Sequence, residues 1–152
     1  VISAAIVTIA VTSLMLAGPL RGRAPLFELS WFHLYTSVAA GLAAGFCEEI
    51  VFRGFVMNQL AWAGAGRVTQ VLTSALLFGL AHVGWTALGH GFNPRLFLGS
   101  VIPTAIFGAL YAGIYLLSGR SLMPVIVAHA LTDMVIEPWL LLAALSGALR
   151  QP

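Results

Sequence analysis

The sequence predicts an all-α fold, a polytopic membrane bundle of about six transmembrane or membrane-embedded helices. Hydrophobic residues make up 60% of the 152 residues, charged residues only 8%, and the mean hydropathy is +0.98. A soluble domain typically carries about 25% charged residues, so the bilayer is the solvent that suits this composition. The longer apolar segments reach the ~20 residues needed to cross the hydrocarbon core, and the last two are shorter. None alternates as a barrel strand would, so helices satisfy the backbone best.

Turn and loop signals divide the chain into these helices. The first segment is apolar from residue 1 without a basic head or a cleavage site, which favours a spanning helix over a signal peptide. Pro103 is expected to kink the fourth helix, and Glu137-Pro138 to separate the last two. We expect residues 1–152 to form one transmembrane domain, a fragment of a longer chain with helices before Val1. The predicted segments are 1–18, about 31–62, 68 to about 86, 96–117, 122 to about 135 and 138 to about 149.

Small residues recur at four-residue spacing on two of the predicted helices. Gly41 and Gly45 form one such stripe, and Ala105, Ala109 and Gly113 form another. Small side chains let helices approach closely in a membrane, so both stripes predict helix contacts.

The charged residues and the single cysteine exclude several classes of protein. All seven basic residues are arginines and lie singly along the chain, so no nucleic-acid-binding face is expected. Cys47 has no second cysteine to pair with, and its apolar surroundings favour a packing role over a nucleophilic one.

Two carboxylates and an arginine interrupt the apolar stretch FCEEIVFRGF at residues 46–55. A charge near the bilayer centre costs at least about 2.5–3.5 kcal/mol, so intramembrane charges are retained for a structural or functional reason. Glu49 and Arg53 are four residues apart and can form an ion pair on one helix face. Glu48 points about 100° away from Glu49, so it is left for another role.

Two further spacings of four residues place ionisable groups at membrane depth. Phe78 and His82 lie near the end of the third predicted helix, and His129 and Asp133 share a face of the fifth. Structural explanations exist for each, such as an interfacial histidine or a hydrogen-bonded pair that orients helices. Together with Glu48, however, they favour a functional site.

These groups suit the activation of water. A glutamate can act as general base while imidazoles stabilise the oxyanion formed at a scissile carbonyl. Alternatively, Glu48, His82 and His129 could ligate a zinc ion with an open water position. HExxH and GxSxG motifs are both missing, which disfavours the usual zinc-protease helix and serine catalysis. We assign no cofactor, and a divalent metal such as zinc remains the open alternative.

Three motifs in order resemble the CPBP family of intramembrane proteases, which includes the type II CAAX prenyl endopeptidases, abortive-infection proteins and bacteriocin-processing proteins. They are EExxxR from Glu48 to Arg53, FxxxH from Phe78 to His82, and HxxxD from His129 to Asp133, and they extend from about residue 40 to 135.

The resemblance implies a role for each motif. Glu48 and His82 would activate water, His129 and Asp133 would form the oxyanion side, and Glu49, Arg53 and Phe78 would order the site. The prenyl endopeptidases carry Asn where this chain has Asp133, and Asn donates to an oxyanion more readily than an ionised carboxylate does.

The predicted function is therefore an intramembrane endopeptidase acting on a membrane-associated or lipidated peptide. The predicted location is a multi-pass position in the membrane, which would be the plasma membrane in a prokaryote, with lipids and the substrate as partners and no nucleic acid. A proton-coupled transport component and a non-catalytic scaffold or immunity protein are the alternatives.

Overall fold

The computed structural model describes residues 30–83 and 94–145, and in these ranges every regular element is a helix. Helix α1 has three consecutive parts: an α-helix, a π-helical stretch called here the π segment, and a further α-helical turn and a half. The remaining helices are α2, α3 and α4. The bounds are Trp31–Glu49, Ile50–Val56 and Met57–Trp62 for α1, Arg67–Ala81 for α2, Pro94–Leu117 for α3 and Leu122–Leu145 for α4.

The prediction of about six helices was wrong for the described residues, which form four. The break expected at Glu137-Pro138 is not there, because α4 continues through both residues. A proline removes only one backbone hydrogen bond, and a 24-residue helix retains nearly all of the others. Helix α3 also runs through Pro103, where the kink stays a prediction. The predicted helix 1–18 and most of the residues between the third and fourth predicted helices lie outside the described residues.

Two helical stretches in the described ranges are long and apolar enough to cross a membrane, Leu34–Trp62 and Phe97–Leu117. The large exposed side chains along α1 are apolar, for example Leu42 and Phe46, whereas Glu49 and Arg53 are fully buried. This distribution is the reverse of that in a soluble protein and is typical of helices surrounded by lipid.

The chain divides into two compact units, one formed by residues up to Cys47 with those from Ile126, the other by Glu48–Val125. In the first unit, α1 packs closely on α4. A Cβ atom at Gly41 would lie 3.1 Å from the carbonyl oxygen of Ala130, and one at Gly45 would lie 2.9 Å from the Ala130 nitrogen. The predicted close approach at Gly41 and Gly45 is confirmed.

In the second unit, glycines bring α2 and α3 together. A Cβ at Gly79 would lie 2.7 Å from the Val101 carbonyl oxygen and 2.9 Å from the Ala105 Cβ. Gly108, which the spacing analysis did not select, packs on Phe78 in the same way. At Gly113 a Cβ would meet no atom of the described residues within 4 Å, so the helix contact expected there stays a prediction.

The π segment is the feature of the fold that the sequence did not predict. Its register is visible in the hydrogen bond from the Met57 N–H to the carbonyl oxygen of Phe52, five residues earlier. The Ser74 hydroxyl donates to the same carbonyl oxygen at 3.2 Å, and the Asn58 amide donates to the Gly54 carbonyl oxygen at 2.7 Å. π-helical turns are uncommon and frequently occur at functional sites.

Candidate active site

Glu49 and Arg53 form the predicted ion pair across the start of the π segment. The Arg53 guanidinium donates from Nη1 to Glu49 Oε1 at 2.9 Å, and both side chains are 0% exposed. A charge-assisted hydrogen bond between fully buried groups is strong, and each partner offsets part of the cost of burying the other charge.

The rest of the Arg53 guanidinium is enclosed by α2 and α3. Nη2 donates to the backbone oxygen of Gly108 at 2.7 Å. The rings of Phe78 and Tyr111 lie 4.8 and 5.5 Å from the guanidinium carbon, within the range of cation–π attraction. A side chain at position 108 would collide with Phe78, so glycine permits the close approach of α2 and α3 here. Arg53 therefore joins three helices in one unit.

Glu48 differs from Glu49 in its surroundings. Its side chain is 30% exposed, and Oε2 lies 3.8 Å from Nε2 of His82, whose side chain is 23% exposed. This separation exceeds a direct hydrogen bond. Glu48 Oε2 itself is buried, although the side chain as a whole is partly exposed. The neighbouring glutamates thus have different environments: Glu49 is fully buried and paired with Arg53, and Glu48 is partly exposed and lies beside an imidazole.

His82 is held at the end of α2 by contacts with its own helix and with α3. Its Nδ1 lies 2.8 Å from the Phe78 carbonyl oxygen, and the Ser100 hydroxyl donates to the His82 carbonyl oxygen at 3.3 Å. The Phe78 and His82 ring centroids are 4.7 Å apart. Since a carbonyl oxygen only accepts, Nδ1 carries a proton, and in the neutral ring Nε2 is an acceptor that faces Glu48.

His129 and Asp133 meet in the other unit, on the face of α4 that α1 approaches. His129 Nε2 lies 3.3 Å from Asp133 Oδ2, and both are shielded, at 4% and 18% exposure. A Cβ at Gly41 would lie 3.2 Å from that of Asp133. The pair expected from the four-residue spacing is present, and α1 restricts the room around it.

Sequence reasoning missed several residues that support these groups. Ser74 bonds to the π segment, Gly108 accepts from Arg53, and Ser100 bonds to the backbone of His82. A signal existed for Ser74, because Ser74, Phe78 and His82 recur every four residues and so share one helix face. No local pattern indicates Gly108 or Ser100, because each acts on another helix.

A metal centre has no evident set of ligands within residues 30–83 and 94–145. No three His, Cys, Asp or Glu side chains of these ranges are grouped closely enough to hold an ion. The alternative in which Glu48, His82 and His129 ligate zinc stays a prediction, because His129 belongs to the other compact unit. No reaction step is assigned to a metal.

The fold and the site define a helical membrane protein with an acid–imidazole site. A model of the family described as Type II CAAX prenyl endopeptidase Rce1-like matches residues 30–135, more than two thirds of the chain. The chain belongs to this family, which is one of membrane-embedded proteases, and the resemblance drawn from the three motifs is confirmed at that level. No curated protein and no solved structure gave a significant match.

Proposed function

We propose that the protein is an intramembrane endopeptidase in which Glu48 activates a water molecule together with His82. The observation that carries this proposal is the contrast between adjacent carboxylates. Glu49 is fully buried against Arg53, whereas the Glu48 side chain is 30% exposed and its Oε2 lies 3.8 Å from an oriented imidazole.

In the proposed Michaelis complex, one water lies between Glu48 and His82 in an orientation ready to react. Oε2 of an ionised Glu48 and Nε2 of a neutral His82 both accept hydrogen bonds. Glu48 Oε2 and His82 Nε2 are 3.8 Å apart. A water oxygen about 2.8 Å from both atoms would therefore make two hydrogen bonds at an angle of about 85° to each other. Both water protons would then point to the protein, which leaves the oxygen lone pairs available to a carbonyl carbon.

In the proposed reaction, Glu48 takes one proton from this water as the oxygen adds to the carbonyl carbon of the scissile peptide. The carbonyl π electrons move to its oxygen, which becomes the oxyanion of a tetrahedral intermediate. Glu48 then transfers the proton to the peptide nitrogen as the C–N bond breaks. General base catalysis of this kind contributes typically 10²–10⁴-fold to the rate.

The family motifs give the remaining residues of the proposal. His129 and Asp133 would form the oxyanion side, and Glu49, Arg53 and Phe78 would keep the helix turn that carries Glu48 in place. Asp133 lies beside His129 Nε2, so its carboxylate can accept from a protonated imidazole and hold it as a donor. In this chain the imidazole, rather than residue 133, would supply the hydrogen bond to the oxyanion.

The proposed substrate is a peptide held at the membrane by a lipid or by its own apolar segment. The family description names a CAAX prenyl endopeptidase, which implies a prenylated or membrane-associated protein substrate. A site within apolar helices favours a substrate delivered through the bilayer, and a multi-pass arrangement of the chain is part of the same proposal.

The test is cleavage of a panel of prenylated, acylated and unlipidated peptides by the purified protein, with Glu48→Gln beside wild type. Glutamine has the size of glutamate but cannot take the proton, so cleavage should fall at least about 100-fold. Thr36→Val is a matched control, since the Thr36 hydroxyl donates to the Phe32 carbonyl oxygen of its own helix and has no role in the proposed reaction. Equal cleavage by wild type and Glu48→Gln would contradict the mechanism, and proton flux without cleavage would favour the transport alternative.

A further inference from the structure

A second polar cluster lies in the unit of residues 48–125, apart from the residues assigned to the reaction. It consists of Asn58, Gln70, Tyr115 and Arg120 and is called here the Arg120 cluster. Arg120 donates from Nη1 to Asn58 Oδ1 at 2.8 Å and from Nη2 to Gln70 Oε1 at 2.5 Å. The Tyr115 hydroxyl donates to the same Asn58 oxygen at 3.2 Å. Four places in the chain, in α1, α2, α3 and the turn before α4, are thereby joined.

Asn58 links this cluster to the π segment. While its oxygen accepts from Arg120 and Tyr115, its Nδ2 donates to the Gly54 carbonyl oxygen at 2.7 Å. Gly54 follows Arg53 directly, so the hydrogen bond reaches the backbone that carries the buried arginine. Because the side-chain amide of Asn58 is planar, the hydrogen bonds that Arg120 and Tyr115 make to its oxygen also set the direction in which its Nδ2 donates.

Arg120 has an unfavourable backbone conformation, so the contacts of the cluster must offset its conformational free energy. Its φ is +64°, the left-handed region, and it is the one non-glycine residue with positive φ in the described ranges. Such a conformation is unfavourable for a residue with a Cβ and persists when the surroundings determine it strongly. Here the two side-chain hydrogen bonds of Arg120, together with the hydrogen bond from its backbone N–H to the Tyr115 carbonyl oxygen, hold this conformation.

We infer that Arg120, acting through Asn58, is a positioning residue for the reaction. It holds the π segment in the register that places Arg53 against Glu49 and so keeps Glu48 directed at His82. This inference rests on the proposed function, because it names a residue that supports the same site. Arg120 touches none of the reacting groups itself.

The experiment compares Arg120→Met with Arg120→Lys. Both keep a long side chain on the same strained backbone, but only lysine can donate to the oxygens of Asn58 and Gln70. Arg120→Gly is the third variant, because it removes the side chain while relieving the positive φ, so its fold is protected. Thr36→Val again serves as the control.

Two measurements are made on each variant: kcat and KM for peptide cleavage, and hydrogen exchange of the amides of residues 50–56 in lipid nanodiscs. Arg120→Met and Arg120→Gly are expected to lose about tenfold in kcat with KM within about twofold. The exchange of the segment is expected to become faster by a similar factor, and Arg120→Lys is expected to stay close to wild type in both measurements.

Unchanged exchange in both Arg120→Met and Arg120→Gly would overturn the inference, as would an equal loss of kcat in Arg120→Lys. Failure of the proposed function is distinguishable from failure of this inference. If the wild type cleaves none of the peptides, the exchange of residues 50–56 alone decides whether Arg120 positions the π segment.

Discussion

Replacing Arg53 by methionine should destabilise the protein strongly, because it leaves the Glu49 carboxylate buried without its cation. The substitution removes the bonds to Glu49 at 2.9 Å and to Gly108 at 2.7 Å, together with the contacts to Phe78 and Tyr111. Breaking a buried pair from one side costs about 3–5 kcal/mol. We expect a loss of unfolding free energy in this range for Arg53→Met and for Glu49→Met.

The double variant Glu49→Met/Arg53→Met separates this effect from simple loss of packing. With both charges gone, the main remaining cost is the Gly108 carbonyl oxygen without its donor, about 1–3 kcal/mol. Reversible unfolding in mixed detergent–SDS micelles, followed by circular dichroism, measures all three variants. The double variant should lose much less than the sum of the two single losses. Additive losses, or single losses below about 1 kcal/mol, would refute the assignment of a tightly coupled buried pair.

Three other predictions concern packing, metal and the oxyanion side. Gly45→Ala should cost about 1–3 kcal/mol in the same unfolding assay, because the new Cβ would lie 2.9 Å from the Ala130 nitrogen. Gly113→Ala, where no atom of the described residues lies within 4 Å of the new Cβ, should be neutral or up to about 1 kcal/mol stabilising. Incubation with EDTA followed by gel filtration should leave the rate of peptide cleavage unchanged. A loss of cleavage that added zinc restores would contradict the metal-free mechanism. Asp133→Asn keeps a hydrogen-bond acceptor beside His129 and should retain the cleavage rate within about threefold. Asp133→Leu has no acceptor there and should lose at least about tenfold in rate. Equal cleavage rates in the two variants would show that Asp133 has no role in the reaction.

The local spacing of charged residues was enough to predict the pairs of the site. Glu49 with Arg53 and His129 with Asp133 are four residues apart in helices, and that geometry places them together whatever the surroundings. The close approach at Gly41 and Gly45 was predictable for a similar reason, since a stripe of small residues on an apolar helix indicates a neighbour.

Features that depend on another helix were not predictable. The π segment departs from the 3.6-residue period on which helix patterns rest, and Ser74 and Asn58 support it from α2 and from the following turn of α1. Arg120 appeared as an ordinary turn residue, because its partners lie 50 and 62 residues away in the chain. The prediction of a helix break at Glu137-Pro138 was wrong because it assumed that proline ends the helix, whereas helices at membrane depth accommodate proline.

The central claim is that Glu48 and His82 act together on one water molecule. Its most direct test is kcat for Glu48→Gln, His82→Gln and the double variant on the best peptide of the panel. Residues that act as a unit show strongly non-additive losses, so the double variant should be about as slow as the slower single variant. If the two losses multiply instead, Glu48 and His82 contribute independently, and the shared water is contradicted.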